Sequence, residues 1–139
     1  MPEFTNSRSL RVLDEIALPL RVVCLEAIKH IDFSLISGKR TTAEQQAMYA
    51  AGNSKLDGIT GISKHQTFPG RSKSLAFDFL PVPLPDNDWN NPRLFTAYAF
   101  FFIGIGAEKG IELRSGLDWD GDFQWRDQTF MDGPHIEMV

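Results

Sequence analysis

"SKHQTFPGRSKSLAFDF" (residues 63–79) leads into an apolar run, Leu75, Ala76, Phe77, Phe79 and Leu80, that has an aspartate, Asp78, inside it. A carboxylate among hydrocarbon is costly unless a cation or several donors meet it, so Asp78 needs a partner. The run is closed by Pro81 and reads as a buried strand. Side chains alternate on a strand, so Ala76, Asp78 and Leu80 share one face and Leu75, Phe77 and Phe79 the other. The final "HIEMV" (135–139) divides in the same way, with His135, Glu137 and Val139 on one side and Ile136 and Met138 on the other. "DFSLIS" (32–37) and "IELRS" (111–115) are further short strands.

Helical signals surround these strands. The N-terminal third reads as helical from about Ser9, with Pro19 either breaking the pattern or opening a second helix. In "TTAEQQAMYAAG" (41–52), Thr41 and Glu44 have capping-box spacing and Gly52 marks the far end. "NNPRLFTAYAFFFIGIGAEKG" (90–110) has Asn91 as N-cap, Pro92 in the first turn and Gly110 as terminator. Helices and strands do not alternate regularly. This favours an α+β fold in which helices pack on a small antiparallel sheet and functional residues come from strands and loops.

A length of 139 residues and 42% hydrophobic content suit one domain spanning 1–139. With a net charge of -4 there is no excess of Lys and Arg to track phosphates, so no nucleic acid is expected as ligand. The single cysteine, Cys24, lies among apolar residues and reads as a buried hydrophobe. "LFTAYAFFFIGIGA" (94–107) is shorter than the roughly 20 residues a membrane span needs, so a buried helix is expected and no membrane span. "MPEFTNSRSLRVLDEI" lacks the pattern of a secretory signal, which implies synthesis and initial retention in a cytoplasm. G-x-S-x-G, P-loop and H-E-x-x-H motifs are absent.

In "MDGPH" (131–135) the turn formers Gly133 and Pro134 let Asp132 and His135 converge across a tight bend. The chain thus offers His65, Asp78 and His135 as a two-histidine, one-carboxylate set, with Asp132 as a spare carboxylate. Such a set suits catalytic zinc, which takes three protein ligands and leaves a fourth position for water. Taken singly, each has a plainer reading. His65 is then a loop histidine, Asp78 pairs with Arg40 or Arg71, and His135 merely ends a strand.

"SGKRT" (37–41), the helix that follows it, "SKH" (63–65), "AFD" (76–78), "GLDWDGD" (116–122) and "DGPH" (132–135) resemble a known family over a stretch from about Pro19 to the C-terminus. It comprises the zinc D-alanyl-D-alanine carboxypeptidases and L-alanyl-D-glutamate endopeptidases, including phage endolysins that cut cell-wall peptides. The resemblance implies a hedgehog/D-Ala-D-Ala-peptidase-like fold and Zn2+ held by His65, Asp78 and His135. It further implies Asp132 as general base, Arg40 holding the substrate's carbonyl or carboxylate, and Ser63 lining the site. The implied activity is hydrolysis of peptidoglycan stem peptides at the L-alanyl-D-glutamate bond by a phage-type endolysin. Such an enzyme is made without a signal peptide and acts on the wall after release, or is delivered within a virion. A monomer is expected. The alternatives are a D-alanyl-D-alanine carboxypeptidase and a catalytically silent wall-binding or virion structural module.

Two departures stand out. Twelve residues separate His65 from Asp78, about twice the family's usual spacing, and the apparent insertion "TFPGRSK" (67–73) is expected to bulge at the cleft. Ser115 and Leu117 replace the family's usual Trp and Gly and are expected to reshape a wall of the pocket. "DWDGDFQWRDQT" (118–129) has Asp118, Asp120 and Asp122 at EF-hand positions 1, 3 and 5, but Phe123 replaces the required Gly and Thr129 the required Glu. These aspartates are expected to turn a loop, with Asp118 supporting the metal site from behind, and a looser cation site is the other reading. His30 reads as structural at a helix end. Trp89, Trp119 and Trp125 are either core or cleft residues.

Overall fold

The computed structural model describes residues 2–123 and 132–139. In chain order the elements are α1 (Ser7–Glu15), α2 (Leu18–Ala27), β1 (Phe33–Ser37), α3 (Thr42–Ala50), β2 (Ala76–Pro81), α4 (Pro92–Glu108), β3 (Leu113–Gly116) and β4 (Asp132–Met138). The Asn6 side chain accepts the Ser9 N–H at 2.8 Å, so α1 begins two residues ahead of the Ser9 start expected from sequence. Ile16 is extended and Pro19 lies in the first turn of α2, so the proline opens a second helix. Thr41 and Glu44 form the expected capping box, and Asn91 caps α4.

Among the described residues the sheet has four strands, in the order β1-β2-β4-β3, and every pairing is antiparallel. Helix α4 lies against it. Phe102 meets Phe33, Phe77 and Phe79 at ring-centroid distances of 4.9, 5.4 and 5.0 Å, and all four rings are buried. A side chain of this kind fully removed from water contributes about 1.5–3 kcal/mol. The apolar stretch 94–107 therefore lies within α4, whose core side is Phe95, Ala99, Phe102, Ile105 and Gly106, and among the described residues no helix is long and apolar enough to cross a membrane. Cys24 is also buried, which pushes its thiol pKa up.

With the Phe77 face filled by α4, the opposite face of the sheet carries polar groups. Ser37 pairs with Asp78 and Asp78 with His135, so three polar side chains stand in a row across β1, β2 and β4. The pairing of β3 with β4 then changes register. Ser115 lies opposite Ile136, but the next residue, Gly116, lies opposite Asp132. Residues 133–135 are thus surplus on β4. A bulge within a continuous strand, and not the expected turn at Gly133-Pro134, brings Asp132 alongside His135.

Gly116 permits this register. A Cβ there would lie 2.1 Å from the Asp132 carbonyl oxygen and 2.9 Å from its carbonyl carbon, backbone contacts that cannot simply rotate aside. Gly116→Ala is expected to cost roughly 1–3 kcal/mol in urea denaturation and to displace Asp132. Unchanged stability together with unchanged activity would show that the bulge can relax.

The inserted segment is a tight hairpin. Phe68 and Arg71 exchange both backbone hydrogen bonds, at 3.0 and 2.8 Å, around Gly70, whose φ is +96°. The Arg71 guanidinium lies 4.8 Å from the Phe68 ring centroid and donates to the carbonyls of Gln66 and Ser63. Ser74 then bridges to Ile16. None of residues 67–73 lines the cleft described below, contrary to the sequence expectation, because these contacts tie the hairpin back to its own base.

Candidate metal centre

His65, Asp78 and His135 present ligand atoms that all lie within 4.8 Å of one another. Their orientations come from hydrogen bonds on the far side of each group. His65 Nδ1 lies 2.7 Å from the Gly38 carbonyl, which can only accept, so this nitrogen carries the ring proton and Nε2 is turned inward. His135 Nε2 lies 2.8 Å from Glu137 Oε1, which leaves Nδ1 facing inward. Ser37 Oγ donates to Asp78 Oδ2 at 2.9 Å, and Asp78 Oδ1 is buried with no hydrogen-bond partner.

The three inward atoms form a nearly equilateral triangle. His65 Nε2 to His135 Nδ1 is 3.1 Å, and Asp78 Oδ1 is 3.3 Å from each nitrogen. Ligands about 2.0–2.1 Å from a tetrahedral zinc stand roughly 3.3–3.4 Å apart, so the triangle has the right size. With both rings neutral, three lone pairs converge on one point, where either a bound cation or an added ring proton reconciles them. The donor set fits a divalent metal.

The charges agree. Burial alone would raise Asp78, but the two imidazoles more than offset it and hold the carboxyl well below the usual carboxylate range. Burial would lower His135, yet the neighbouring carboxylates of Asp78 and Glu137 push it up to about 9. Asp132 is raised, first by burial and then by the nearby Asp78. Burial depresses Arg40, partly countered by Asp78 and Asp132.

A cleft of about 450 Å³ opens over the triangle, and Arg40, Ser63, His65, Asp132 and His135 are among the residues lining it. Its far wall is α3 and the loop after it. Buried Gln45 donates to Ser54 Oγ at 2.9 Å and to the Leu56 carbonyl at 2.7 Å, while its Oε1 accepts from Arg40 Nη1 at 2.7 Å. Asp57 Oδ1 accepts the N–H groups of Ile59, Thr60 and Gly61 and fastens the loop. Gln45 thereby sets the direction of Arg40. The Ser63 side chain turns to the backbone, accepting the His65 N–H at 3.1 Å.

Sequence reasoning did not assign Glu137 or Arg114 to the site and left Trp119 between core and cleft. Glu137 joins His135 to Arg114, whose Nη2 lies 2.8 Å from Glu137 Oε2, and the Trp119 ring centroid is 5.3 Å from that of His135. The available signal was alternation, which places Glu137 on the His135 face. A carboxylate behind a metal-binding histidine fixes its tautomer and raises its basicity. Glu137→Gln is therefore expected to weaken metal binding about 10–100-fold in a chelator competition. An unchanged affinity would reduce Glu137 to a packing role.

Two expectations are corrected. Asp118 accepts the backbone N–H groups of Asp122 and Phe123 at 3.1 and 2.9 Å, so it turns its own loop, and the contact from this loop to the site is made by Trp119. Residues 124–129 of the EF-hand-like stretch, Trp125 among them, lie outside the described residues. Ser115 and Leu117 are buried, Leu117 in the hydrophobic core, and neither lines this cleft. His30 pairs with Glu26 at 3.2 Å at the end of α2, a structural contact. Trp89 is exposed away from this cleft.

Residues 3–139 match the family described as phage L-alanyl-D-glutamate peptidase. The L-alanyl-D-glutamate peptidase of Escherichia phage T5 is 33% identical over 114 residues, covering 78% of this chain and 76% of that protein. The crystal structure of the Serratia marcescens L-Ala D-Glu endopeptidase ChiX matches with a TM-score of 0.73 at 25% identity, over 97% of this chain and 89% of that one. With a family match over nearly its whole length, and a fold shared with a solved endopeptidase, this chain belongs to the phage L-alanyl-D-glutamate peptidase family.

Proposed function

We propose that the protein hydrolyses the L-alanyl-D-glutamate bond of peptidoglycan stem peptides, with zinc held by His65, Asp78 and His135, as a phage-type endolysin. The observation that carries this reading is the buried, unpartnered Oδ1 of Asp78, facing two imidazole nitrogens at 3.3 Å beneath an open cleft.

Zinc, when bound, supplies Lewis acidity and makes hydroxide available near neutral pH. Asp132 is the general base. Its burial beside Asp78 raises its proton affinity, so its carboxylate is a stronger base than an exposed aspartate, able to take a proton from the attacking water and return it to the leaving amine. Arg40, aimed by Gln45, offers its guanidinium to the negative charge that develops on the scissile carbonyl oxygen. Ser63 contributes to the cleft wall, where Met48, Leu56 and Ile62 give the peptide an apolar surface.

Mass analysis of digested peptidoglycan tests the reading. Peptides newly beginning at D-glutamate are the expected product. Loss of a terminal alanine alone would overturn the endopeptidase in favour of a carboxypeptidase, and no new amino termini would leave a silent wall-binding module.

A further inference from the structure

We infer that Lys64 makes this site selective for stem peptides whose glutamate keeps its free carboxylate, against those in which that group is a carboxamide. The inference rests on the proposed cleavage of the L-alanyl-D-glutamate bond. Glutamate has two carboxyl groups, and whichever one carries the peptide onward, the other remains as an anion on the residue that supplies the leaving amine. The site must receive that anion within a few bonds of the reacting carbon.

The cleft is equipped for it. The chain as a whole has a net charge of -4, yet the cleft is lined by Arg40, Lys55, Lys64 and Arg114 against Asp132 and Glu137. Arg114 is committed to Glu137 at 2.8 Å, and Arg40 is held by Gln45 in the field of Asp78 and Asp132. Lys64 differs from both. It is half-buried, it adjoins the ligand His65 in the chain, and among the described residues its ammonium has no ion pair or side-chain hydrogen bond. Its backbone is fixed, the carbonyl accepting the Leu75 N–H at 2.8 Å where the hairpin returns to β2. A cation on a pinned backbone beside the reacting centre is placed to meet a carboxylate, and a hydrogen bond to a charged partner is among the stronger ones available.

The test uses the full-length, metal-loaded protein and two synthetic peptides that differ only in whether the free glutamate carboxyl is an acid or an amide. The ratio of their kcat/KM values is the readout. Wild type is expected to prefer the acid by about tenfold or more, and the preference should shrink as salt is added. Lys64→Gln should bring the ratio close to one, and Lys64→Arg should restore most of the preference. Equal turnover of both peptides by wild type, or a ratio that persists in Lys64→Gln, would overturn the inference while leaving the endopeptidase reading intact. Failure of wild type to cleave either peptide would overturn both.

Discussion

Asp78→Ala is expected to abolish metal binding and, with it, at least about a thousandfold of the activity, because the proposed reaction depends on Lewis acidity that no side chain here can replace. Elemental analysis of wild type should give about one zinc per chain, the number one closed three-ligand set can hold. The same measurement on His65→Ala, Asp78→Ala and His135→Ala should give none. Asp78 is the most informative of the three. Its Oδ1 has no hydrogen-bond partner, and its Oδ2 accepts only from Ser37, so without a metal it contributes little beyond charge to the two histidines. Removing a carboxylate at the centre of the sheet should leave the Phe77 and Phe79 core on the other face undisturbed, and circular dichroism should show a folded variant. Wild type free of metal, or an Asp78→Ala protein that retains it fully, would mean that the histidines and Asp78 form a charge cluster closed by protons.

Asp132→Asn is expected to lower kcat by about 10²–10⁴-fold while the metal content stays near that of wild type. The substitution keeps the shape and removes the proposed base. Asp132 lines the cleft beside His135, so the amide should occupy the same volume, and KM should change little. Near-normal activity with zinc bound would remove Asp132 from the chemistry. Loss of metal in the variant would instead make Asp132 part of the ligand cage. Comparison with Gly116→Ala separates chemistry from placement, since that change displaces the intact carboxylate and should also lower stability.

Much of the fold was legible because the rules that produced it are local. The Thr41/Glu44 capping box, the Asn91 cap with Pro92 behind it and the alternation of Ala76, Asp78 and Leu80 with Phe77 and Phe79 involve residues a few positions apart, and backbone geometry alone relates them. The same alternation turned Asp78 and His135 toward the polar face of the sheet. Sequence by itself thus determined an antiparallel α+β fold whose polar sheet face carries Asp78 and His135, and the resemblance added the loop residue His65 and tied the three to a zinc peptidase.

The tertiary structure decided how the site is closed. Pairing of β2 with β4 sets Asp78 beside His135, and the turn that carries His65, held at Gly38 and Arg40, completes the set with facing atoms 3.1–3.3 Å apart, although the two histidines are separated by 70 positions in the chain. The register shift at Gly116 that carries Asp132 to His135, the Arg114–Glu137 pair behind His135 and the folding back of the 67–73 hairpin also depend on which segments meet. Periodicity says which way a side chain points along its own strand. The residue opposite it is selected by long-range packing, and a shift of register exchanges that partner without altering the local sequence.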